Sequence, residues 1–97
     1  MIDFEKISEI LKALAHPARL EIVQGLKKDE CNVSEIQRKL SLPQSTISQH
    51  LRILRNAGII VGRREGVRVC YKVIDPYTRK IIELAEKNEK NAVASNP

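Results

Sequence analysis

Three groups of side chains in this 97-residue sequence could do chemistry. The first is the run Gln44, Ser45, Thr46, Ser48, Gln49 and His50, short hydrogen-bonding side chains without net charge. Side chains of this kind suit the edges of bases in the major groove of double-stranded DNA, where donors and acceptors rather than charge tell one base pair from another. An ordinary solvated helix face would use Glu and Lys, so a run of Ser, Thr and Gln gives up helix propensity for hydrogen-bonding reach. Arg52 and Arg55 follow and suit backbone phosphates, as do Arg63, Arg64 and Arg68 a few residues on. Arginines on an exposed strand can also serve only to keep its edge soluble, but beside a polar reading helix the phosphate role is the expectation. The second group is the pair Cys31 and Cys70, and the third is His16 and His50. His16 precedes Pro17 at a helix corner and reads as structural. His50 is expected to contact DNA or to pack beneath the helix, and neither histidine has the thiol or carboxylate neighbours in sequence that a metal site needs.

Length and charge narrow the classes. A chain this short builds one core, so residues 1–97 are expected to form a single domain carrying both DNA binding and dimerisation. Lysine and arginine number 17 against 12 acidic residues, for a formal charge of +5 and a pI near 9.5, which favours a polyanionic partner. The four glycines are scattered at turns, and no nucleophile with a matched base, phosphate-cradling loop or metal cluster is legible, so no enzymatic activity and no cofactor are expected. The N-terminus is amphipathic and charged throughout, no stretch is long and apolar enough for a membrane span, and two cysteines do not make a secreted disulfide scaffold. These features point to the cytoplasm.

The elements that must position those side chains follow from periodicity. Phe4, Ile7, Ile10, Leu11 and Leu14 fall at helical spacing behind Asp3, a suitable N-cap. His16 and Pro17 break this helix and open a second, reaching about Lys28, with Leu20, Ile22, Val23 and Leu26 as its buried face. A third, short helix is marked by Val33, Ile36 and Leu40, a turn by residues 41–43, and a fourth helix from about Gln44 to Asn56 by Ile47, Leu51 and Leu54. The period then changes to alternation, over 59–61 and again over 67–73, around a charged tip GRREG at 62–66, which predicts a hairpin. Asp75 and Pro76 start a last helix with Tyr77, Ile81, Leu84 and Ala85 along one stripe, and residues 88–97 read as a tail that frays. The fold class is therefore mainly α with a small β-hairpin wing, in the order ααααββα. Two helices joined by a three-to-four-residue turn over 33–54 form a helix-turn-helix, with the fourth helix as its reading element.

The segments LKALAHPARLEIVQGL (11–26) and VSEIQRKLSLPQSTISQHLRILRNAGIIVGRREGVRVCYKV (33–73) resemble the ArsR-type (arsenic repressor) winged helix-turn-helix family over nearly the whole chain. The resemblance implies a homodimeric repressor that binds imperfect inverted repeats in promoters, dimerising through the first and last helices. The residues expected at that interface are Phe4, Ile7, Leu11, Tyr77, Ile81 and Leu84, whose stripes would be partly exposed in a single copy. Many members of the family sense metals through a Cys-x-Cys pair on the helix that opens the helix-turn-helix. Here the matching positions hold Asn32 and Ser34, with Cys31 one place earlier, and the last helix has Asp75 and Glu83 but no histidine for the family's other metal site. No metal, and no small-molecule inducer, is evident.

A thiol-redox switch using Cys31 and Cys70 is the alternative. In a winged helix the short strand before the third helix, here 31–33, pairs with the second wing strand, which would bring the two cysteines close. Alternation argues the other way: Val69, Tyr71 and Val73 fall on the core face and Cys70 with Lys72 on the opposite one, while Cys31 and Val33 point inward. A protein-interaction module is a further alternative, for which the polar reading face and basic wing are the wrong chemistry. RNA recognition lacks a stacking platform, because Phe4, Tyr71 and Tyr77 are the only aromatic rings besides the histidines.

Overall fold

The computed structural model describes the backbone of residues 1–95 and the side chains of residues 1–89. Among the described residues the order is α1 (Phe4–Leu14), α2 (Pro17–Lys28), α3 (Val33–Leu40), α4 (Gln44–Asn56), β1 (Ile60–Glu65), β2 (Arg68–Val73) and α5 (Pro76–Ser95), the expected ααααββα. The helix ends follow from local chemistry. Asp3 Oδ1 accepts the Lys6 amide at 3.1 Å, and at the next corner His16 Nδ1 accepts the Ala18 amide at 3.1 Å while Pro17 supplies the first turn of α2. At the end of α4, Gly58 takes φ +75°, its amide bonds to Arg55 O and the Ile59 amide bonds to Leu54 O. This paired closure satisfies two terminal carbonyls and sets Ile59 against Leu54, both fully buried.

Helix α2 is the hub. It packs against α1, α3, α4, α5 and β2, and Ile22, Val23 and Leu26 are its innermost side chains. Around them lie Ile10 and Leu14 of α1, Ile36 of α3, Ile47, Leu51 and Leu54 of α4, Ile60 and Val73 of the hairpin, and Ile82 of α5. Each fully buried aliphatic side chain of this kind contributes about 1.5–3 kcal/mol over its exposed state, which is how so small a core holds seven elements. Helix α5 is fastened at its start and midway. Asp75 Oδ2 accepts both the amide and the hydroxyl of Thr78 at 2.7 Å, and further along Gln24 and Lys27 of α2 reach Glu86 at 3.0 and 3.3 Å. The hydrogen bond from Gln24, then that from Lys27, holds the Glu86 carboxyl below its ordinary pKa.

The hairpin departs from expectation in where it turns. Ladder pairing runs from Ile60↔Val73 to Glu65↔Arg68, leaving a two-residue turn of Gly66 and Val67 with Gly66 at φ +65°. Arg63 and Arg64 are therefore strand residues rather than tip residues. No strand forms over 31–33; the segment before α3 meets β2 through one backbone hydrogen bond, Tyr71 N–H to Glu30 C=O at 2.7 Å. Helix α5 also continues past Asn88 to Ser95. The tail expected to fray over 88–97 therefore has helical backbone as far as Ser95, while its side chains from 90 onward and all of 96–97 lie outside the described residues.

Candidate nucleic-acid interface

Helices α3 and α4 are joined by residues 41–43. Ser41 adopts the left-handed conformation at φ 53°, its amide closing on Arg38 O at 3.1 Å, and Gln37 Nε2 donates to Leu42 O at 3.3 Å across the turn. Ile36 of α3 and Ile47, Leu51 and Leu54 of α4 bury the inner faces of the two helices. The outer face of α4 then follows from the 3.6-residue period: Ser45, Ser48, Gln49, Arg52 and Arg55 all lie toward solvent, with Gln44 exposed at the first turn and Thr46 half-buried at the edge. Among the described residues none of these side chains makes a hydrogen bond or ion pair within the chain. Ser45, Ser48, Gln49, Arg52 and Arg55 line one shallow open groove together with Leu51 and Tyr71, so its far wall comes from β2 of the wing. Alternation puts Tyr71 on the core face of β2, and that same face turns its buried ring toward α4.

Of the two expectations for His50, contact with DNA or packing beneath the helix, the structure shows the second. Its side chain turns away from the outer face and is buried, with Nδ1 3.2 Å from Nη1 of Arg19 and its ring centroid 4.7 Å from that of His16. Helical spacing explains this: residue 50 lies on the same side as Ile47 and Leu54, facing the α1–α2 corner, so His50 supports the reading helix from behind. Burial first, and then the neighbouring His16 and Arg19 charges, lowers its pKa below the usual histidine value. Arg19 was not singled out in the sequence at all.

The wing arginines divide. Arg64 lies on the pleat face that carries Tyr71, because Arg64↔Val69 and Gly62↔Tyr71 are same-face pairs, and it is exposed there. Arg68 is exposed next to the turn. Arg63 is committed elsewhere: its Nε donates to Glu65 at 2.9 Å and its Nη1 to Glu30. The bond to Glu65, then that to Glu30, holds the guanidinium still more firmly protonated. Arg63 is thus the wing arginine that meets solvent already paired with two carboxylates, where Arg64 and Arg68 do not.

The cysteines overturn the argument from alternation. Cys31 and Cys70 form a disulfide with Cα atoms 4.3 Å apart, and Cys70 is fully buried. Alternation assigned Cys70 to the correct pleat face, opposite Tyr71, but that face is not open. The 30–31 segment lies along the outer edge of β2 and covers it, while Arg63, the register partner of Cys70, reaches Glu30. Three links, one covalent, one backbone and one ionic, thus join the wing to the segment leading into α3.

The stripes assigned to dimerisation remain uncovered. Phe4 is 76% and Leu11 49% exposed on α1, with Ile7 half-buried between them, while Tyr77 and Leu84 are 49% and 59% exposed on α5. Ile81 is partly shared with the core. Among the described residues no group of three or more His, Cys, Asp or Glu side chains comes together, and no helix is long and apolar enough to cross a membrane.

A short helix, a three-residue turn, a second helix with a polar outer face and a basic hairpin beside it define a winged helix-turn-helix DNA-binding module. Residues 16–61 match the family model described as bacterial regulatory protein, arsR family. The chain is 40% identical over 78 residues to the biofilm growth-associated repressor of Agrobacterium fabrum, covering 80% of this chain and 67% of that protein. The crystal structure of the transcriptional repressor PagR of Bacillus anthracis is similar at 41% identity and a TM-score of 0.73, over 84% of this chain and 94% of that one. The solution structure of the homodimeric winged helix-turn-helix DNA-binding domain of Mb0332 from Mycobacterium bovis is similar at 26% identity and a TM-score of 0.74, over 90% of this chain and 81% of that one. The chain spans 55–67% of the length of the first curated relatives it matches. This protein belongs to the ArsR family of transcriptional regulators.

Proposed function

We propose that this chain is a homodimeric repressor that binds an inverted-repeat operator in double-stranded DNA, reading bases with α4 of each copy and holding flanking phosphates with the wing. The observation that carries the reading is the outer face of α4, where Gln44, Ser45, Ser48 and Gln49 are exposed without internal partners and Arg52 and Arg55 continue the same surface. Thr46 contributes at the edge of that face, and Arg64 and Arg68 supply the wing's phosphate contacts. The uncovered stripes of α1 and α5, built from Phe4, Ile7, Leu11, Tyr77, Ile81 and Leu84, support a second copy as partner, with the homodimeric relative as a precedent. A two-fold dimer would set its reading helices about 34 Å apart, one turn of B-DNA. The function needs no catalysis, cofactor or membrane, and belongs in the cytoplasm where the promoter is.

The Cys31–Cys70 disulfide favours a second reading, in which the same repressor answers to thiol redox state. Two low-molecular-weight thiols would reduce the bond, each giving up a hydrogen to a cysteine sulfur and leaving as one external disulfide, so that the wing loses one of its three links. One experiment addresses both readings: affinity for the protein's own promoter fragment against random DNA, under reduction, after diamide oxidation and with zinc added. Specific binding in at least one redox state is expected, unchanged by zinc. Equal affinity for promoter and random DNA in every condition refutes the repressor reading, and identical specific binding with and without reduction refutes the redox reading alone.

A further inference from the structure

The cluster behind the reading helix has no role in the contacts assigned above. Arg19, half-buried on α2, uses its two edges for two different elements. Its Nε donates to the Ala13 carbonyl at 2.6 Å, in the last turn of α1, and its Nη1 lies 3.2 Å from Nδ1 of His50 on α4. A carbonyl in the last turn of a helix has no partner within that helix, so Arg19 takes up a group that α1 leaves open. An arginine can only donate, which makes His50 Nδ1 the acceptor and puts the ring's proton on Nε2. A protonated His50 would turn the contact into two donors and two positive charges facing each other.

We propose that Arg19 is a positioning residue for DNA recognition: by bonding Ala13 of α1 and the neutral ring of His50 on α4 together, it fixes the angle of the reading helix against the helix that carries the dimer face. The proposal rests on α4 as the reading helix and α1 as part of the dimer contact. In a two-fold dimer the position of each α4 is referred to the partner through α1, so a change in the α1–α4 angle is doubled across the axis and alters the distance between the two half-sites. Arg19 is suited to the task because its planar fork holds two acceptors in one fixed geometry, which a lysine cannot do. The groups facing His50 are Arg19 from α2 and His16 from the α1–α2 corner, both positive or able to become so. Among the described residues no carboxylate pairs with either ring or with Arg19, so nothing there compensates a proton on His50. His16 is exposed, which gives protons a path to the cluster.

The test uses full-length protein and DNA selected by the wild type from a random pool, as a complete operator and as a fragment carrying one half-site. Arg19→Lys, Arg19→Gln, His50→Asn and Gln49→Ala are compared, with dimer content and melting temperature measured on each. His50→Asn keeps an acceptor where Nδ1 stood and cannot take a proton. Loss of one charge-assisted positioning contact predicts that both Arg19 variants bind the complete operator about tenfold more weakly than wild type, with less than about twofold change on the single half-site. Both should also tolerate one inserted base pair between half-sites better than wild type does. Wild-type operator affinity should hold above about pH 6.5 and fall as the pH drops below it, while His50→Asn should bind with a flat profile over the same range. Equal losses on both fragments by the folded Arg19→Lys dimer, or a wild-type pH profile in His50→Asn, overturns the proposal. Failure of the underlying reading looks different: selection enriches no sequence, or Gln49→Ala binds both fragments as wild type does.

Discussion

Breaking the Cys31–Cys70 bond by reduction leaves the sequence untouched, so oxidised and reduced wild type differ by the cross-link alone. The bond joins residues 39 apart in sequence. Loop-closure entropy for a ring of about 40 residues is about 13 cal/mol/K, or about 4 kcal/mol at 25 °C, taken from the unfolded chain; measured cross-links more often return about 2–4 kcal/mol. For a domain of this size each kcal/mol moves the melting temperature by about 4–8 °C, so reduction should lower it by at least about 8 °C. The assay is thermal unfolding followed by circular dichroism at one fixed protein concentration, because self-association also shifts the midpoint. Intact mass before and after reduction confirms the two-hydrogen difference. A cross-linked sample that melts within about 2 °C of its reduced form would refute the reasoning, since it would mean that the unfolded chain is not being constrained.

Four further outcomes follow from the geometry. Ser45→Ala and Gln49→Ala should each cost about 1–3 kcal/mol on the operator and almost nothing on random DNA in a fluorescence titration. Arg64→Ala and Arg68→Ala should each weaken all sequences alike and reduce the salt slope by about 1, whereas Arg63→Ala, whose donors already face Glu30 and Glu65, should leave that slope unchanged. Asp75→Ala should destabilise by about 1–2 kcal/mol for the lost cap of α5 and by about 1–3 kcal/mol more for the Thr78 hydroxyl left buried without an acceptor, read by guanidinium unfolding. Because burial lowers the His50 pKa, the unfolded chain takes up the proton first as pH falls; stability carried by the neutral ring should be complete above about pH 6.5 and be lost from there down through the folded-state pKa, a loss absent in His50→Asn.

The helices and the exposed polar face of α4 were legible in the sequence because each is specified locally. Asp3, Pro17, Gly58 and the Asp75–Pro76 pair mark ends that the backbone then obeys, and the 3.6-residue period of Ile47, Leu51 and Leu54 sets which side of α4 is free. What escaped the sequence depends on segments far apart in the chain. Nothing near Cys70 says that residues 30–31 will cover the outer pleat face, so alternation alone argued against a bond that tertiary packing makes. Arg63 reads as a loose tip cation until pairing runs on to Glu65↔Arg68, which makes it a strand residue opposite Cys70 and within reach of Glu30. His50 sits in a run of polar neighbours and shares their composition, but its helical position aligns it with the buried residues, and Arg19, its partner, is 31 residues away.

If two copies pair through the bare apolar stripes on α1 and α5, as proposed, the amount of this protein becomes a control variable. While copies are too dilute to associate, the species able to fill an operator grows with the square of chain concentration, so doubling synthesis raises it about fourfold by mass action. Promoter response would then be steeper than proportional, with a threshold set by how tightly two copies hold together. A substitution such as Phe4→Ala, far from any DNA contact, would shift that threshold upward while leaving the preferred operator sequence as it was.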